Sequence, residues 1–474
     1  KLRQKPSHFV LLPMSHISFV HCIDTEGPLY ENPEATLQRV QEITGATFPG
    51  PPSLNLIDDL RAGSIDLGGM EADVQEVLSE HRMRLNSDWK AINRMLDKLS
   101  RPEFRQKYLD CEENSWTYSW FCLDHVGYSE NPRKRDIGYH NIFDHYIDYC
   151  ESFNFRDDVF FHFHPMSRYQ EAHRCATSYN QSPHLYETVC RRLIDRSWFP
   201  SAFRAGFQAE RPDSHLFLEQ WIPFDFTNMS IENWDSLETQ SDFRLGRSGN
   251  WKGAPTSWVP YHPAIDDHRK TGNCRRWIAR SLNSMNRIAT ISSDEIKKAF
   301  LDARKTGHPQ IVGMCGHDWR DLEAETDFLI KNICDVASQF PETQFYFDNA
   351  KDAFQRYLRF FSKEPPAPKF EVRSFNDPGD FPRIEIRLTR GKVFGPQPFL
   401  AIKSPSRNYY HDNLDYYLDD DVWHYAFTPD SIDVDDVSDL AVGCADGWGN
   451  TAVQRFTRTP FSAGELHLDP VTDS

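Results

Sequence analysis

The sequence predicts an α/β fold: a distorted parallel (β/α) barrel of seven or eight strands, followed by a smaller all-β sandwich domain. Short apolar runs alternate with helical patterns over residues 1–362, and this alternation is typical of parallel strands joined by helices. Seven or eight such units favour a barrel over an open sheet. Beyond a proline-rich segment, short runs in which apolar and polar residues alternate, separated by turn residues, indicate antiparallel sheets.

The predicted barrel strands are short runs with β-like composition. They are HISFVHCI (16–23), TYSWFCLDHV (117–126), DVFFHFHP (158–165), SAFRAG (201–206), PFDFTNM (223–229), SWVPYH (257–262), QIVGMCGHD (310–318) and TQFYFDN (343–349). Between them, apolar residues recur every three or four positions, which predicts amphipathic helices. These patterns cover 70–99, 184–196, 294–307 and 325–340.

The predicted domain organisation follows from these changes of pattern. A barrel domain covers 1–362, with a mostly helical insertion at about 50–110 that shapes or covers the groove. The segment KEPPAPK (363–369) reads as a linker, and 370–474 as the β-sandwich. Binding of glycan, dimerisation and bracing of the barrel remain open roles for the sandwich.

Composition excludes several classes of function. The net charge is −17 and no block of Lys or Arg occurs, whereas nucleic acids and anionic membranes need a basic footprint. Neutral or cationic small partners fit better. No apolar stretch reaches the roughly 18 residues of a membrane span, and the N-terminal segment lacks a signal-peptide core. The ten cysteines are scattered without a CxxC pair, which indicates free thiols. We therefore expect a cytoplasmic protein, with export after trimming left open.

Charged and imidazole side chains cluster where the predicted strands end. Asp24 and Glu26 close the first strand within HCIDTEGP (21–28). His162 and His164 are two residues apart, so both rings face one side of their strand. Arg204 and His317 close two further strands. In barrels of this class the active site lies at the carboxyl ends of the strands, so these side chains are expected to converge.

Two histidines and a carboxylate form the ligand set of an open catalytic metal site, usually zinc. Such a metal polarises a carbonyl and lowers the pKa of a water to about 7. A second carboxylate held ionised by an arginine can then serve as a base. Each residue alone has a plainer interpretation: a histidine in the core, acids that cap a helix, or an arginine in an ordinary ion pair.

Several segments resemble the polysaccharide deacetylases of the fourth carbohydrate-esterase class. They are DTEGP (24–28), FRAGFQAERPD (203–213), FDFTNMS (224–230), NWKGAPTSWVPYHP (250–263) and GHD (316–318). The resemblance spans residues from about 15 to 350. It implies a distorted (β/α) barrel and metal-dependent hydrolysis of an N-acetyl group on an amino sugar of a polysaccharide or glycan precursor. The implied metal is zinc, with cobalt, manganese and nickel as alternatives.

The resemblance also implies a role for each residue. Asp24 becomes the base, Arg204 its tether, and His317 the general acid. Glu26, His162 and His164 become the metal ligands. Trp251 and Trp258 are candidates for a sugar platform, with burial in the core as the alternative. The partner is an N-acetylated glycan, and a homo-dimer is left open.

The sequence departs from the family's pattern at two motifs. The family's two acids are usually adjacent, so the roles of Asp24 and Glu26 relative to each other stay open. Its two histidines are usually separated by three residues rather than one, which makes His173 a substitute ligand to consider. Two other functions remain as alternatives: a glycoside hydrolase or lyase that uses Asp24 and Glu26, and a non-catalytic glycan-binding protein on a degenerate barrel.

Overall fold

The computed structural model describes residues 15–172, 174–175, 178–238, 248–286, 288–417, 419–459 and 464–471. The strands of the N-terminal part are β1 (His16–Thr25), β2 (Tyr118–Cys122), β3 (Asp158–Phe163), β4 (Ala202–Ala205), β5 (Phe224–Asn228), β6 (Pro263–Ala264), β7 (Asp267–Thr271), β8 (Trp277–Asn283), β9 (Gln310–His317) and β10 (Gln344–Phe347). Among the described residues, seven of them form a closed parallel barrel in the order β1-β2-β3-β4-β5-β8-β9, with β9 pairing back to β1. A barrel of parallel strands was predicted, and this part of the prediction is confirmed.

Strand β1 is the longest strand of the barrel and pairs with three others. Its first half pairs with β10, and its second half pairs with β2 at the same edge. Along its other edge it pairs with β9 over most of its length. The eighth strand, β10, therefore lies beside the ring rather than in it.

Helices occupy most of the connections between the barrel strands. They are α1 (Pro33–Thr44), α2 (Leu54–Ala62), α3 (Glu71–Val77), α4 (Glu80–Met83), α5 (Trp89–Leu99), α6 (Pro102–Arg105), α7 (Asn141–Ser152), α8 (His184–Arg196), α9 (Pro212–Trp221), α10 (Asp235–Glu238), α11 (Ser293–Thr306), α12 (Leu322–Ala337) and α13 (Ala350–Arg359). The connection from β1 to β2 holds α1 to α6, so the helical insertion begins earlier than about residue 50.

One predicted barrel strand is wrong. The run 257–262 makes a single bridge, between Tyr261 and Ile278, and the barrel strand of this region is β8, further along the chain. Pro260 lies within the run, and a proline has no N–H to donate to a ladder inside a sheet. Trp258, also within the run, is buried in the core instead.

Side chains that alternate along the strands fill the lower half of the barrel. Val20 and Cys22 of β1 share one apolar cluster with Phe160 of β3 and Phe226 of β5. Phe354 of α13 closes the same cluster from below, stacked on Phe224 with ring centroids 4.3 Å apart. Because the strand period is two, the next inward position on β1 after Cys22 is Asp24. The barrel interior is therefore apolar below and charged at its carboxyl end.

The described residues of the C-terminal part form two separate antiparallel sheets. Their strands are β11 (Lys369–Phe375), β12 (Arg383–Arg390), β13 (Phe399–Lys403), β14 (Tyr409–Asp412), β15 (Asp415–Tyr416), β16 (Val422–Ala426), β17 (Asp439–Ala445), β18 (Thr451–Arg458) and β19 (Leu468–Pro470). The sheets have the orders β11-β12-β16-β15 and β14-β13-β17-β18-β19. Side chains of both sheets, such as Ile386 and Leu440, share one apolar cluster.

The second of these sheets packs against the barrel helix α8. Leu185, Val189 and Leu193 of α8 share an apolar cluster with Phe399 of β13 and Ala441 of β17. Of the three roles left open for this region, bracing of the barrel is the one for which contacts are observed.

The state of the cysteines and the character of the helices agree with what the sequence predicts. All ten cysteines lie within the described residues and are free thiols. Across the described ranges, none of the helices combines the length and the apolarity that crossing a bilayer requires.

Asp195 links α8 to the second antiparallel sheet. Its carboxylate accepts hydrogen bonds from the hydroxyl of Tyr409 at 2.9 Å and from Lys403 at 3.3 Å, and it contacts His140 at 3.2 Å. Burial alone would raise the pKa of Asp195, but His140, Tyr409 and Lys403 together lower it to about 2.

We predict that Asp195→Asn lowers the free energy of unfolding by about 1 kcal/mol at pH 7, allowing for solvent screening. A carboxyl whose folded pKa is depressed stabilises the fold above its unfolded pKa, and this contribution is lost as the pH falls from about 4 towards 2. Urea unfolding should therefore show a smaller difference in free energy of unfolding between the wild type and Asp195→Asn at pH 3 than at pH 7. Asp58, exposed on α2, supplies the control: Asp58→Asn should stay within about 0.5 kcal/mol of the wild type.

Candidate metal centre

Glu26, His162 and His164 converge at the carboxyl end of the barrel. Within the described residues they are the one group of at least three His, Cys, Asp or Glu side chains whose ligating atoms lie within 4.8 Å of one another. The two Nε2 atoms are 3.0 Å apart, and Glu26 Oε1 lies 3.5 Å from His164 Nε2 and 3.9 Å from His162 Nε2. Ligand atoms bound tetrahedrally to one zinc lie about 3.3 Å apart, so the group has the spacing of a metal site.

The sheet register explains why distant segments meet here. Asp24 on β1 is the register partner of His317 on β9, and His162 on β3 is the partner of Arg204 on β4. Glu26 directly follows the end of β1, and His164 directly follows β3. Since parallel strands place their carboxyl ends at one end of the barrel, these side chains meet there.

Hydrogen bonding prepares His162 to act as a ligand through Nε2. Its Nδ1 lies 2.8 Å from the carbonyl oxygen of Arg204, which can only accept, so Nδ1 carries the proton. In the neutral ring the Nε2 lone pair then faces His164, as in metal sites whose second shell fixes the tautomer. Burial alone would lower the pKa of His162, but Asp24 and Glu26 raise it, whereas burial lowers the pKa of His164. A cation between the two nitrogens fits this donor set.

Gly206 makes room for His164. A Cβ at position 206 would lie 2.3 Å from Cδ2 of His164, closer than any side chain could tolerate. The two residues that follow, Phe207 and Gln208, have positive φ angles of 53° and 50°, and strained backbone of this kind clusters at functional sites. The segment FRAG thus supplies both the arginine and the space for a ligand.

Separate contacts hold the side chain and the backbone of Glu26. Arg135 donates to its Oε2 at 2.5 Å, and the backbone N–H groups of Glu26 and Gly27 donate to Asp318 at 3.0 and 2.9 Å. Burial alone would raise the pKa of Glu26, but Arg135 and then His164 hold it well below its usual value. Glu26 therefore remains an anion, with Oε1 left to face the histidines.

Asp24 does not join the metal group and instead pairs with Arg204. Arg204 donates to the two oxygens of Asp24 at 2.6 and 3.2 Å, and its remaining contacts include the Phe226 carbonyl oxygen at 2.5 Å. Burial alone would raise the pKa of Asp24, but Arg204 and then His162 lower it to about 2. The carboxylate is thus ionised and fixed in position.

His317 stands over both acids. Its Nε2 lies 3.9 Å from Asp24 Oδ2 and 4.0 Å from Glu26 Oε1. Its side chain is 20% exposed, the most accessible of the predicted site histidines, and it lines the pocket above the metal group. Burial lowers the pKa of His317 below its usual value.

The structure does not bring Trp251 and Trp258 to this pocket. Both are buried in the main apolar cluster, where Trp251 donates to the Gln208 carbonyl at 2.9 Å and Trp258 donates to the Glu295 carbonyl at 3.0 Å. Buried rings offer no free face to a sugar, so the prediction of a platform at these two residues disagrees with the structure. The aromatic rings that line the pocket belong to Phe207 and Trp319.

Arg135 and Asp318, which were not among the predicted site residues, contact the side chain and the backbone of Glu26. His173, the substitute ligand, lies outside the described residues. Arg135 was missed, because it lies in the loop between β2 and α7, where no strand or helix pattern indicates which side chains face the site. Asp318, the last residue of the GHD motif, fixes the backbone beside Glu26, and burial raises its pKa to about 7.

Comparison with models of protein families finds none that matches this chain, and comparison with characterised proteins finds no similar sequence. The resemblance to polysaccharide deacetylases therefore rests on the motifs quoted above.

We predict that the protein binds about one zinc ion per chain, and that His164→Ala lowers the affinity at least about a hundredfold, because one of three ligands is lost. Elemental analysis after dialysis and competition with a chromophoric chelator measure both quantities. His308 lies just before β9, at the opposite end of that strand from His317, and is exposed. His308→Ala should bind zinc like the wild type; equal loss in both variants would contradict the assignment.

Gly206→Ala tests the space reserved for His164. The added methyl group should displace the ring and weaken zinc binding by about tenfold to a hundredfold while the near-UV circular dichroism stays native. Gly447 offers a matched control, because nothing lies within 4 Å of a Cβ built there. Wild-type zinc affinity in Gly206→Ala would show that the ring is not a ligand in this position.

Proposed function

We propose that this chain is a metal-dependent hydrolase that removes the acetyl group from an N-acetylated amino sugar, on a distorted (β/α) barrel of the polysaccharide deacetylase kind. The observation that carries the proposal is the convergence of Glu26, His162 and His164 beside an Asp24–Arg204 ion pair. An open Glu-His-His donor set and a separate ionised carboxylate are what metal-assisted amide hydrolysis requires.

In this proposal Glu26, His162 and His164 hold a divalent ion, with zinc preferred over cobalt, manganese and nickel. When bound, such an ion supplies Lewis acidity: it polarises the amide carbonyl and makes a water more acidic. Arg135 and the carbonyl of Arg204 keep the carboxylate and one imidazole in ligating orientation.

The remaining residues handle protons. A water attacks the acetyl carbonyl carbon, the C–N bond breaks, and acetate and a free amine leave. Asp24 is oriented by Arg204 to accept a proton from the water. His317, 3.9 Å from Asp24, faces the pocket and delivers a proton to the departing nitrogen. Because burial lowers its pKa, His317 starts neutral; it gains the proton that Asp24 took from the water and then gives that proton to the departing nitrogen.

The glycoside hydrolase alternative has weaker support. Such enzymes need one carboxyl group with a raised pKa to protonate the leaving oxygen. Asp24 and Glu26 both have lowered pKa values, because each is paired with an arginine. Asp24 and Glu26 also lie two residues apart and aim at one side, rather than at opposite sides of a glycosidic bond.

The test is product analysis with the zinc-loaded protein and a panel of acetylated sugars and oligosaccharides. Release of acetate with chain length unchanged supports deacetylation, whereas shortened chains indicate a glycosidase or lyase. Calorimetric binding of an oligosaccharide with no acetate released at any metal or pH would instead favour a non-catalytic binding protein.

Asp24→Asn should lower kcat by about a hundredfold to ten-thousandfold while zinc content stays at the wild-type level, because Asp24 is a base in this scheme and not a ligand. A matched control exists at the end of β10. Asp348 is also buried and paired with arginines, Arg156 and Arg356, but it does not line the pocket. Asp348→Asn should cost stability and leave kcat unchanged; a similar kcat loss in both variants would refute the role of Asp24.

A further inference from the structure

The outer wall of the metal pocket is basic, although the chain as a whole is strongly acidic. Arg39 of α1, Arg82 of α4 and Arg320, which follows β9, all line the pocket together with Asp24, Glu26 and His317. Arg39 and Arg82 come from the insertion between β1 and β2, and Arg320 comes from the barrel side. Three guanidinium groups therefore meet in the pocket that holds the catalytic residues.

The carboxylates that line the same pocket are already neutralised. Asp24 pairs with Arg204 at 2.6 Å and Glu26 pairs with Arg135 at 2.5 Å. Glu42 pairs with Arg174 at 3.0 Å. Among the described residues, no acid of the pocket lining is left over to balance the arginine wall.

Two of the wall arginines have acid partners of their own, and one does not. Arg39 pairs with Glu31 at 3.0 Å, and Arg82 pairs with Glu76. Arg320, by contrast, has no carboxylate within 4.0 Å in the part of the chain that the structure describes. Its Nη1 donates to the carbonyl oxygen of Arg82 at 3.4 Å, and its guanidinium lies 4.7 Å from the ring centroid of Trp319.

The surroundings of Arg320 destabilise its charge. Burial lowers the pKa of Arg320 to about 10; the nearby charges of Arg39 and Arg82 lower it further, and the charges of Glu325 and Glu31 oppose them only in part. Like charges at close range repel one another, and a bound anion relieves that repulsion. Guanidinium groups bind phosphate and carboxylate groups through paired, charge-assisted hydrogen bonds.

We propose that the substrate carries an anionic group, a phosphate or a carboxylate, and that Arg320 binds this group with the support of Arg39 and Arg82. The inference rests on the proposed deacetylase function for the other end of the substrate. Trp319 lies between the proposed proton donor and the proposed anion site. Its ring centroid is 4.5 Å from that of His317, and the guanidinium group of Arg320 lies over the same ring. Only two ring contacts separate the proton donor from the anion site, so the charge belongs on the acetylated sugar or on its immediate neighbour.

Anion binding can be measured without turnover. The full chain is treated with a chelator, so that no metal competes for the anion, and titrated calorimetrically with inorganic phosphate and with pyrophosphate. Wild type should bind, and Arg320→Gln should bind at least about tenfold more weakly, because a charge-assisted hydrogen bond is lost. Arg84 lies two residues from Arg82 but is 65% exposed and does not line the pocket, so Arg84→Gln is the matched control and should bind like the wild type.

Turnover then tests the anion as part of the substrate. With zinc bound, acetate release is compared for N-acetylglucosamine, N-acetylglucosamine 1-phosphate and N-acetylmuramic acid, so that the phosphate and carboxylate sources are separated. We expect kcat/KM to be at least about tenfold higher for one of the anionic sugars, and this preference to fall in Arg320→Gln but not in Arg84→Gln.

The outcomes separate the two proposals. Equal kcat/KM for neutral and anionic sugars, or phosphate binding unaffected by Arg320→Gln, overturns the anion site and leaves deacetylation standing. Phosphate binding that depends on Arg320, with no acetate released from any sugar, supports the anion site and overturns the deacetylase function.

Discussion

The parallel pairing of β1 with β9 is the constraint on which the rest of the structure depends. It closes the barrel and makes His317 the register partner of Asp24, although the two lie at opposite ends of the barrel sequence. The pairing also sets which side chains point inward. Below Asp24 the inward positions of β1 are Val20 and Cys22 in an apolar cluster, so the charged layer forms only where the strands end. A shift of register by one residue would turn Asp24 outward.

The charged layer is arranged as ion pairs and not as isolated charges. Asp24 with Arg204 and Glu26 with Arg135 are buried pairs, and the cost of removing such charges from water offsets most of their attraction. These ion pairs therefore contribute more to the orientation of the site's side chains than to the free energy of folding. Each arginine fixes a carboxylate in one orientation and keeps it ionised, which leaves Glu26 facing the histidines and Asp24 facing the pocket. Gly206 serves the same end, because its lack of a side chain leaves the space that the ring of His164 fills.

The predictable part of this site is the part built on strands. Asp24, Glu26, His162, His164, Arg204 and His317 were found because a period of two and a common strand direction fix where such side chains point. The parts that were missed depend on irregular backbone. Arg135 reaches Glu26 from a loop, and nothing in a loop's sequence fixes its path. Trp251 and Trp258 are buried by packing against residues distant in the sequence, and Pro260 keeps its segment out of the barrel. The candidate metal group could be predicted from the sequence, whereas the arginine wall of the same pocket could not.

The arginine wall shows why total charge is a poor guide to a ligand. A net charge of −17 predicts neutral or cationic small partners, yet exposed charges are screened beyond about 10 Å in salt solution, whereas a pocket is governed by the groups that line it. The lining carboxylates are paired, and of the three wall arginines, Arg39, Arg82 and Arg320, only Arg320 lacks a carboxylate within 4.0 Å among the described residues, so Arg320 leaves the local charge positive. Two of these three arginines come from the insertion between β1 and β2, not from the barrel itself. In the proposed function the barrel would supply the reacting groups and the anion-binding Arg320, while the insertion would add the supporting Arg39 and Arg82.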